Sequence, residues 1–323
     1  MPLMKIVRPF VIVTCLLLLL HASGWGTADT SDSRLRVLTY NAQFLPDPAS
    51  LKNERPKPFY RARRIAEEIK NFDLVALQEV FNHRHRKVLE EAVRDYWAEG
   101  CYSMLSPQPE GFYTHGGCLI LSRLPIVQTN STVFQHFSQP ADYGLRADGF
   151  AAKGIIHARI ALSQTKPPAT LDVYATHLEA RADDLRPKQY TELAAFIRQT
   201  RAAAGPVLLM GDFNTYGMPQ YWEDPVSQYS QLMQALAAAG SQPSFQDLWR
   251  TLHGKKRGNT THQESVEIGK RIDYLFLDQP SVSPVILSPL SIRVRLFQDP
   301  DQEVFALSDH NGVAAVLRWR PGE

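Results

Sequence analysis

The sequence is poor in cysteine, with three in 323 residues, and it holds only 18 glycines. Neither a disulfide-built scaffold nor a collagen-like repeat is therefore open to it. It also lacks an excess of either charge, since 35 Lys and Arg face 33 Asp and Glu. A disordered chain combines large net charge with few apolar residues, whereas 44% of these residues are hydrophobic. No apolar run reaches the ~20 residues needed to span a bilayer as a helix. The longest, Phe10 to Leu20, follows Lys5 and Arg8 and precedes small residues up to Ala28. That pattern reads as a secretory signal peptide over residues 1–28, which predicts a secreted protein with no membrane anchor after processing. Without that segment, Lys plus Arg equals Asp plus Glu, and Cys101 and Cys118 are left. In a secreted chain such a pair is either a disulfide or two buried thiols.

Strand and helix patterns interleave over residues 29–323 without repeat, low-complexity tract or long linker, which predicts one α/β domain. Strands are expected at Leu35–Asn41, Leu74–Leu77, Cys118–Leu121, Gly154–Ala161, Leu171–Ala175, Val207–Met210, Ile272–Leu277 and Gly312–Trp319. Helices are expected at Phe59–Lys70, His85–Trp97, Lys188–Arg201 and Ser227–Ala239. Loops near 105–117, 138–149 and 216–225 exceed what packing requires, and long loops are where function concentrates.

Residues of metal-ligating and acid/base type fall just after the expected strands: Asn41, Glu79, His177, Asp212, Asn214, Asp273, Asp309 and His310. Strand ends are where an α/β scaffold displays reactive groups. Carboxylates suit Mg²⁺, or Mn²⁺ or another divalent cation, and two histidines beside carboxylates can move protons. No His-x-x-x-His or Cys-x-x-Cys spacing suggests structural zinc, and no Gly-x-Ser-x-Gly elbow or Gly-Lys-Ser/Thr loop offers a competing chemistry.

The ordered set Thr39-Tyr-Asn41, Leu77-Gln-Glu79, Ala175-Thr-His177-Leu, Gly211-Asp-Phe-Asn214, Arg271-Ile-Asp-Tyr274 and Leu307-Ser-Asp-His310 resembles the endonuclease/exonuclease/phosphatase superfamily. The resemblance implies a two-sheet β-sandwich flanked by helices and Mg²⁺-dependent cleavage of phosphate esters. It implies Glu79 as principal metal ligand with Asn41 beside the ion, and Asp212 and Asn214 orienting water and phosphate, with Asp212 touching a second ion. His310 would be the general base oriented by Asp273, Asp309 would complete the metal and histidine network as a further metal ligand, and His177 would hold the phosphate or protonate the leaving group.

Within that superfamily, Gly149-Phe-Ala-Ala-Lys153-Gly, Thr176-His-Leu-Glu-Ala with Arg186 and Gln189, and Asp247-Leu-Trp-Arg are similar to the neutral and bacterial sphingomyelinases. Sphingomyelin or another phospholipid at a membrane surface is the implied partner, acted on by a monomer, with Lys153 against the scissile phosphate. Aromatics at Phe112-Tyr113, Phe134 to Phe137 and Tyr216 to Trp222 are candidates to meet the bilayer. A neutral mature chain argues against nucleic acid, although Arg61, Arg63, Arg64, Arg84, Arg86 and Lys87 could form a basic patch. A secreted nuclease, a phosphoinositide phosphatase using the same residues and an idle lipid-binding module are the alternatives. The long hydrophobic hairpin of haemolytic sphingomyelinases is missing, because Arg293, Arg295, Asp299 and Asp301 interrupt Leu290 to Phe305. Asn130-Ser-Thr and Asn259-Thr-Thr are glycosylation sequons.

Overall fold

The computed structural model describes residues 33–322 apart from 47–48, 50–54, 145–146, 166–167, 242–243, 263, 300 and 302. The signal-peptide reading lies outside the described residues. Two six-stranded sheets stack face to face. The first runs in the order β13 (Val285–Arg295), β14 (Gly312–Pro321), β1 (Ser33–Phe44), β2 (Leu74–Val80), β5 (Leu119–Ser122), β3 (Tyr102–Leu105). The second runs β11 (Gln246–Asp247), β12 (Asp273–Asp278), β10 (Val207–Asp212), β9 (Thr170–His177), β8 (Gly154–Ala161), β6 (Ile126–Val133). A small parallel pair, β4 (Thr114–His115) with β7 (Ala151–Ala152), lies outside both. Only β1 with β2 and β9 with β10 run parallel within the large sheets.

Alternation along the strands builds the layers. Val37 and Leu35 of β1, Ala315 and Leu317 of β14, and Val173, Ala175, Leu208 and Met210 of the second sheet face inward and fill the space between the sheets. Residues of opposite parity meet helices. Helix α1 (Pro58–Ile69) buries Ala62, Ile65, Ala66 and Ile69, one stripe at helical spacing, against Leu38, Tyr40 and Leu77. Beside it α2 (His83–Tyr96) starts where the Asn82 side chain accepts from the Arg84 and His85 amides. On the other face, α4 (Arg186–Thr200) and α5 (Gln228–Ala239) cover the second sheet with Leu193, Ile197, Leu232 and Leu236. A four-residue helix α3 (Pro140–Tyr143) and a short α6 (Leu248–His253) complete the set among the described residues. The result is the expected α/β sandwich.

Several expectations need correcting. Cys101 and Cys118 are free thiols. Tyr102 pairs with Ser122 and Leu105 with Leu119 in the antiparallel β3–β5 ladder, so the two cysteines sit at opposite ends of the pair. At ~3.3 Å per residue they are on the order of 15 Å apart, beyond disulfide reach. Of the two sequons, Asn259 is fully buried, while Asn130 is half-buried with its amide donating to Nδ1 of buried His157 at 3.0 Å. The basic patch is reduced to the exposed Arg63, Arg84 and Lys87 with half-buried Arg64 and Arg86. Arg61 is fully buried, Arg86 contacts His115 and pairs with Glu90, and Lys87 pairs with Glu91.

Arg61 is a structural element in its own right. From α1 its guanidinium donates to the carbonyls of Ala42 (2.6 Å), Gln43 (3.0 Å) and Leu307 (2.9 Å), and it stacks on Phe44. It thereby fastens the end of β1 to the loop ahead of β14. Each of those carbonyls would otherwise be a buried acceptor costing about 1–3 kcal/mol unpaired.

Candidate active site

Sheet register assembles most of the site. In the second sheet Asp212 lies directly beside His177 on β9 and directly opposite Asp273 on β12. In the first sheet Asn41 pairs with Gln78, and Glu79 follows it. Gly211 makes the close packing possible: its φ is +153°, and a Cβ there would lie 2.1 Å from the Thr176 carbonyl oxygen. Gln43, Glu79 and Asn214 hold left-handed φ values of 52°, 56° and 49° at these strand ends. Non-glycine residues take such backbone at a cost, and the cost gathers where side chains must be aimed. The two sheets meet through a polar bond, with Asn41 Nδ2 donating to Asp212 Oδ2 at 3.1 Å.

His310 and Asp273 form a dyad. His310 Nδ1 lies 2.9 Å from Asp273 Oδ2, and its Nε2 lies 3.7 Å from Asp212 Oδ2. Burial alone would push the imidazole down, but Asp273 and Asp212 outweigh it and hold it well above its usual range. A third residue braces the dyad that the motif reading did not pick out. Thr260 Oγ1 donates to Asp273 Oδ2 at 2.5 Å, and the Thr260 carbonyl accepts from the Asn311 amide at 2.6 Å. It therefore fixes both the carboxylate and the backbone beside the histidine. Its only sequence signal was the sequon it belongs to. Thr260→Val should lower kcat by ~10- to 100-fold, the equivalent of a lost hydrogen bond to a charged group, with KM little changed. Thr260→Ser should restore most of it; an active valine variant would remove Thr260 from this role.

The remaining carboxylates ask for a cation. Burial first, then the charge of Asp309, raises Glu79 to about 7. Burial and Asp273 raise Asp212 to about 6. Ligand atoms of Asp212, Asp273 and His310 all lie within 4.8 Å of one another. Asp273 Oδ1 is buried with no hydrogen-bond partner among the described residues. Crowded hard-oxygen donors that repel one another fit a Mg²⁺-type ion. Glu79, Asp212 and Asn41, whose amide oxygen also accepts from the Gln43 N–H at 3.1 Å, could hold it. Asp273 and His310, although they converge on Asp212, are already bonded to each other. Asp309 accepts from Ser308 at 3.3 Å and stands within electrostatic reach of Glu79.

Across the cluster lies Lys153, which the structure buries rather than leaving it solvated at a strand start. Its Nζ donates to Asp148 Oδ2 at 2.8 Å and to the Leu178 carbonyl at 2.9 Å, and it lies 3.3 Å from His177 Nε2. Burial lowers the Lys153 affinity for its proton, but Asp148 more than restores it, and Asp148 is itself held down at about 2 by Lys153 against the effect of burial. Asp148, which the sequence motifs did not single out, is thus the counter-ion of a charged, buried lysine. His177 is pushed well below the usual imidazole range, by burial and then by Lys153, so it is neutral. Its Nε2 stands 3.9 Å from Glu79 and 3.7 Å from Asp212. Asn214 turns back on itself, its amide N–H donating to Asp212 Oδ1 and its Nδ2 to the Leu178 carbonyl. Arg186 and Gln189 hold the adjoining turn by bonds to the Glu179 carbonyl and amide.

Of the aromatic candidates, Phe134 is core, while Trp222 and Tyr221 pack against α5. Tyr113 and Phe150 are exposed beside a Phe112–Phe137 contact on the loops that carry Asp148 toward Lys153, and Tyr216 is exposed beyond β10.

Comparison with known proteins accords with this geometry. A putative neutral sphingomyelinase of Caenorhabditis elegans is 30% identical over 190 residues, covering 56% of this chain and 41% of that protein. The chain thus spans less than half the length of this curated relative. Sphingomyelinase C from Streptomyces griseocarneus matches with a TM-score of 0.59 at 19% identity, over 88% of this chain and 99% of that one. Danio rerio TDP2 complexed with a single-strand DNA product matches with a TM-score of 0.62 at 16% identity, over 88% and 99%. At these identities the solved structures speak to the fold. The model of the endonuclease/exonuclease/phosphatase family matches residues 38–310, which take in every motif of the site, and the chain belongs to that family.

Proposed function

We propose that this is a secreted, divalent-metal-dependent phosphodiesterase that hydrolyses sphingomyelin to ceramide and phosphocholine, working as a monomer. The observation that carries the reaction class is the Asp273–His310 dyad facing Asp212, with Glu79 within electrostatic reach of His310. Once its imidazole has lost its proton, against the pull of Asp273 and Asp212, His310 Nε2 takes a proton from water as the water oxygen bonds to phosphorus in line, and the bond from phosphorus to the ceramide oxygen breaks. That oxygen takes a proton from solvent water, which the proton then released by His310 replaces, so one water is consumed and one alcohol and one phosphomonoester are formed. Asp273 keeps the imidazole aimed and balances its charge. Neutral His177, cationic Lys153 and the Asn214 amide suit them to hold the phosphate oxygens rather than to supply a strongly acidic proton. A Mg²⁺-type ion held by Glu79, Asp212 and Asn41 would supply Lewis-acid neutralisation of the charge on phosphorus-bound oxygens.

The lipid reading rests on the sphingomyelinase relative and on the exposed Tyr113 and Phe150 of the loops beside Lys153. The likeness to a DNA-processing enzyme favours a nuclease as the second reading. Purified protein should be assayed with Mg²⁺ and with chelator on sphingomyelin vesicles, supercoiled DNA and a phosphoinositide in parallel. Chelator-sensitive release of phosphocholine with intact DNA supports the proposal. Nicked DNA, or phosphate released from the phosphoinositide, without phosphocholine overturns it.

A further inference from the structure

Arginine is concentrated on one face of the first sheet. Strands β1, β14 and β13 contain six arginines and not one Asp or Glu. All six are exposed. They share the outward face, because the inward positions of the same strands, among them Leu35, Val37, Ile292, Ala315 and Leu317, belong to the core between the sheets. Register sharpens this: Arg34 lies directly opposite Arg318, and Arg293 opposite Ala314, which in turn pairs with Leu38 of β1. Like charges directly opposite across strands destabilise a sheet.

Between this face and α1 runs a groove of about 530 Å³. Its floor is the small and apolar Ala314 and Val316, with Ser291 at the side. Five cations line it, Arg36, Arg64, Lys70, Arg293 and Arg295, against two acids, Glu67 and Glu68, in a chain whose overall formal charge is only +2. Glu67 is taken by Arg64 and Lys70, and Glu68 by Arg295 at 3.2 Å. Arg36, which lies within electrostatic reach of Asp73, and Arg293 form no side-chain ion pair among the described residues; they stand on β1 and β13, two strands across and two residues along, on the order of 12 Å apart at the backbone. That separation suits forks that grip an anion from both sides.

We propose that this groove is a binding site for a soluble diphosphate-type anion, held between Arg36 and Arg293 over Ala314 and Val316. The groove lies on the flank of the sandwich, whereas Asn41 and His310 sit at the strand ends, so a membrane met by the catalytic end does not cover it. Its far wall is α1, the helix whose Arg61 grips Ala42, Gln43 and Leu307.

Calorimetric titration of pyrophosphate into the full chain at ~0.15 M salt with chelator present tests this, since surface charge alone is screened there. One saturable site is expected. Arg36→Gln/Arg293→Gln should weaken it at least tenfold while leaving the thermal midpoint unchanged or higher, because like-charge repulsion is relieved. Glu79→Gln should leave it intact. Unsaturable heat, binding indifferent to the two arginines, or binding lost with Glu79 overturns the proposal. So does arginine-dependent capture of phosphatidylglycerol vesicles by a protein that ignores pyrophosphate.

Discussion

His310→Ala is expected to lower kcat by ~10²- to 10⁴-fold, the range of a positioned general base, while far-ultraviolet dichroism and thermal midpoint stay close to the parent. Its side chain is 11% exposed and lies outside the hydrophobic core, so the fold is checked beside the activity in the same variant. Asp273→Asn should fall in the same range for a different reason. The amide keeps the shape but offers N–H or a neutral oxygen to His310 Nδ1, which lets the wrong ring nitrogen carry the proton. Retention of more than a tenth of parental kcat by His310→Ala would assign the base elsewhere.

The second large effect concerns the metal. Excess chelator should abolish turnover, and Glu79→Gln should raise the half-saturating Mg²⁺ concentration beyond the ~10- to 100-fold typical of groups that only orient ligands. The sign of the pH dependence follows from the raised carboxyls. With Glu79 near 7 and Asp212 near 6 in the absence of an ion, both bind protons at pH 6, and a cation must displace them. Half-saturation should therefore need more Mg²⁺ at pH 6 than at pH 8 in the parent, and the difference should shrink in Glu79→Gln. Equal Mg²⁺ requirement at both pH values would place the ion away from Glu79.

What the sequence made legible was what is buried on both sides. The central strands β1, β2, β9, β10 and β12 are runs such as Leu74-Val-Ala-Leu and Val207-Leu-Leu-Met, and each carries a site residue at or beside its end. The longer strands that periodicity passed over, β3, β6 and β13, are sheet edges, as is the two-residue β11, and the two-residue β4 and β7 pair only with each other. An edge strand is half-solvated, so β6 reads IVQTNSTV and β13 is broken by Pro289 at a bulge. The same limit applies to single residues. Asp148 reaches the site through Lys153, and Thr260 through Asp273 and Asn311, and such contacts have no spacing in sequence. Arg61 looked like one more solvated helix charge because composition does not tell which side of a helix meets the sheet. It sits one position before Ala62, on the edge of the apolar stripe.

The Asn41–Asp212 bond has a mechanical meaning as well as an electrostatic one. Between the two sheets lies mostly aliphatic packing, which resists separation but has little directional preference against sliding. Asn41 belongs to one sheet and Asp212 to the other, so their bond acts as a shear pin at the catalytic end. Sliding of the sheets there would draw Glu79 away from His177 and Asp212 while hardly changing the area buried. The alignment of the half-sites is thus set by a few polar atoms, and the sandwich can lose its working geometry well before it loses its fold.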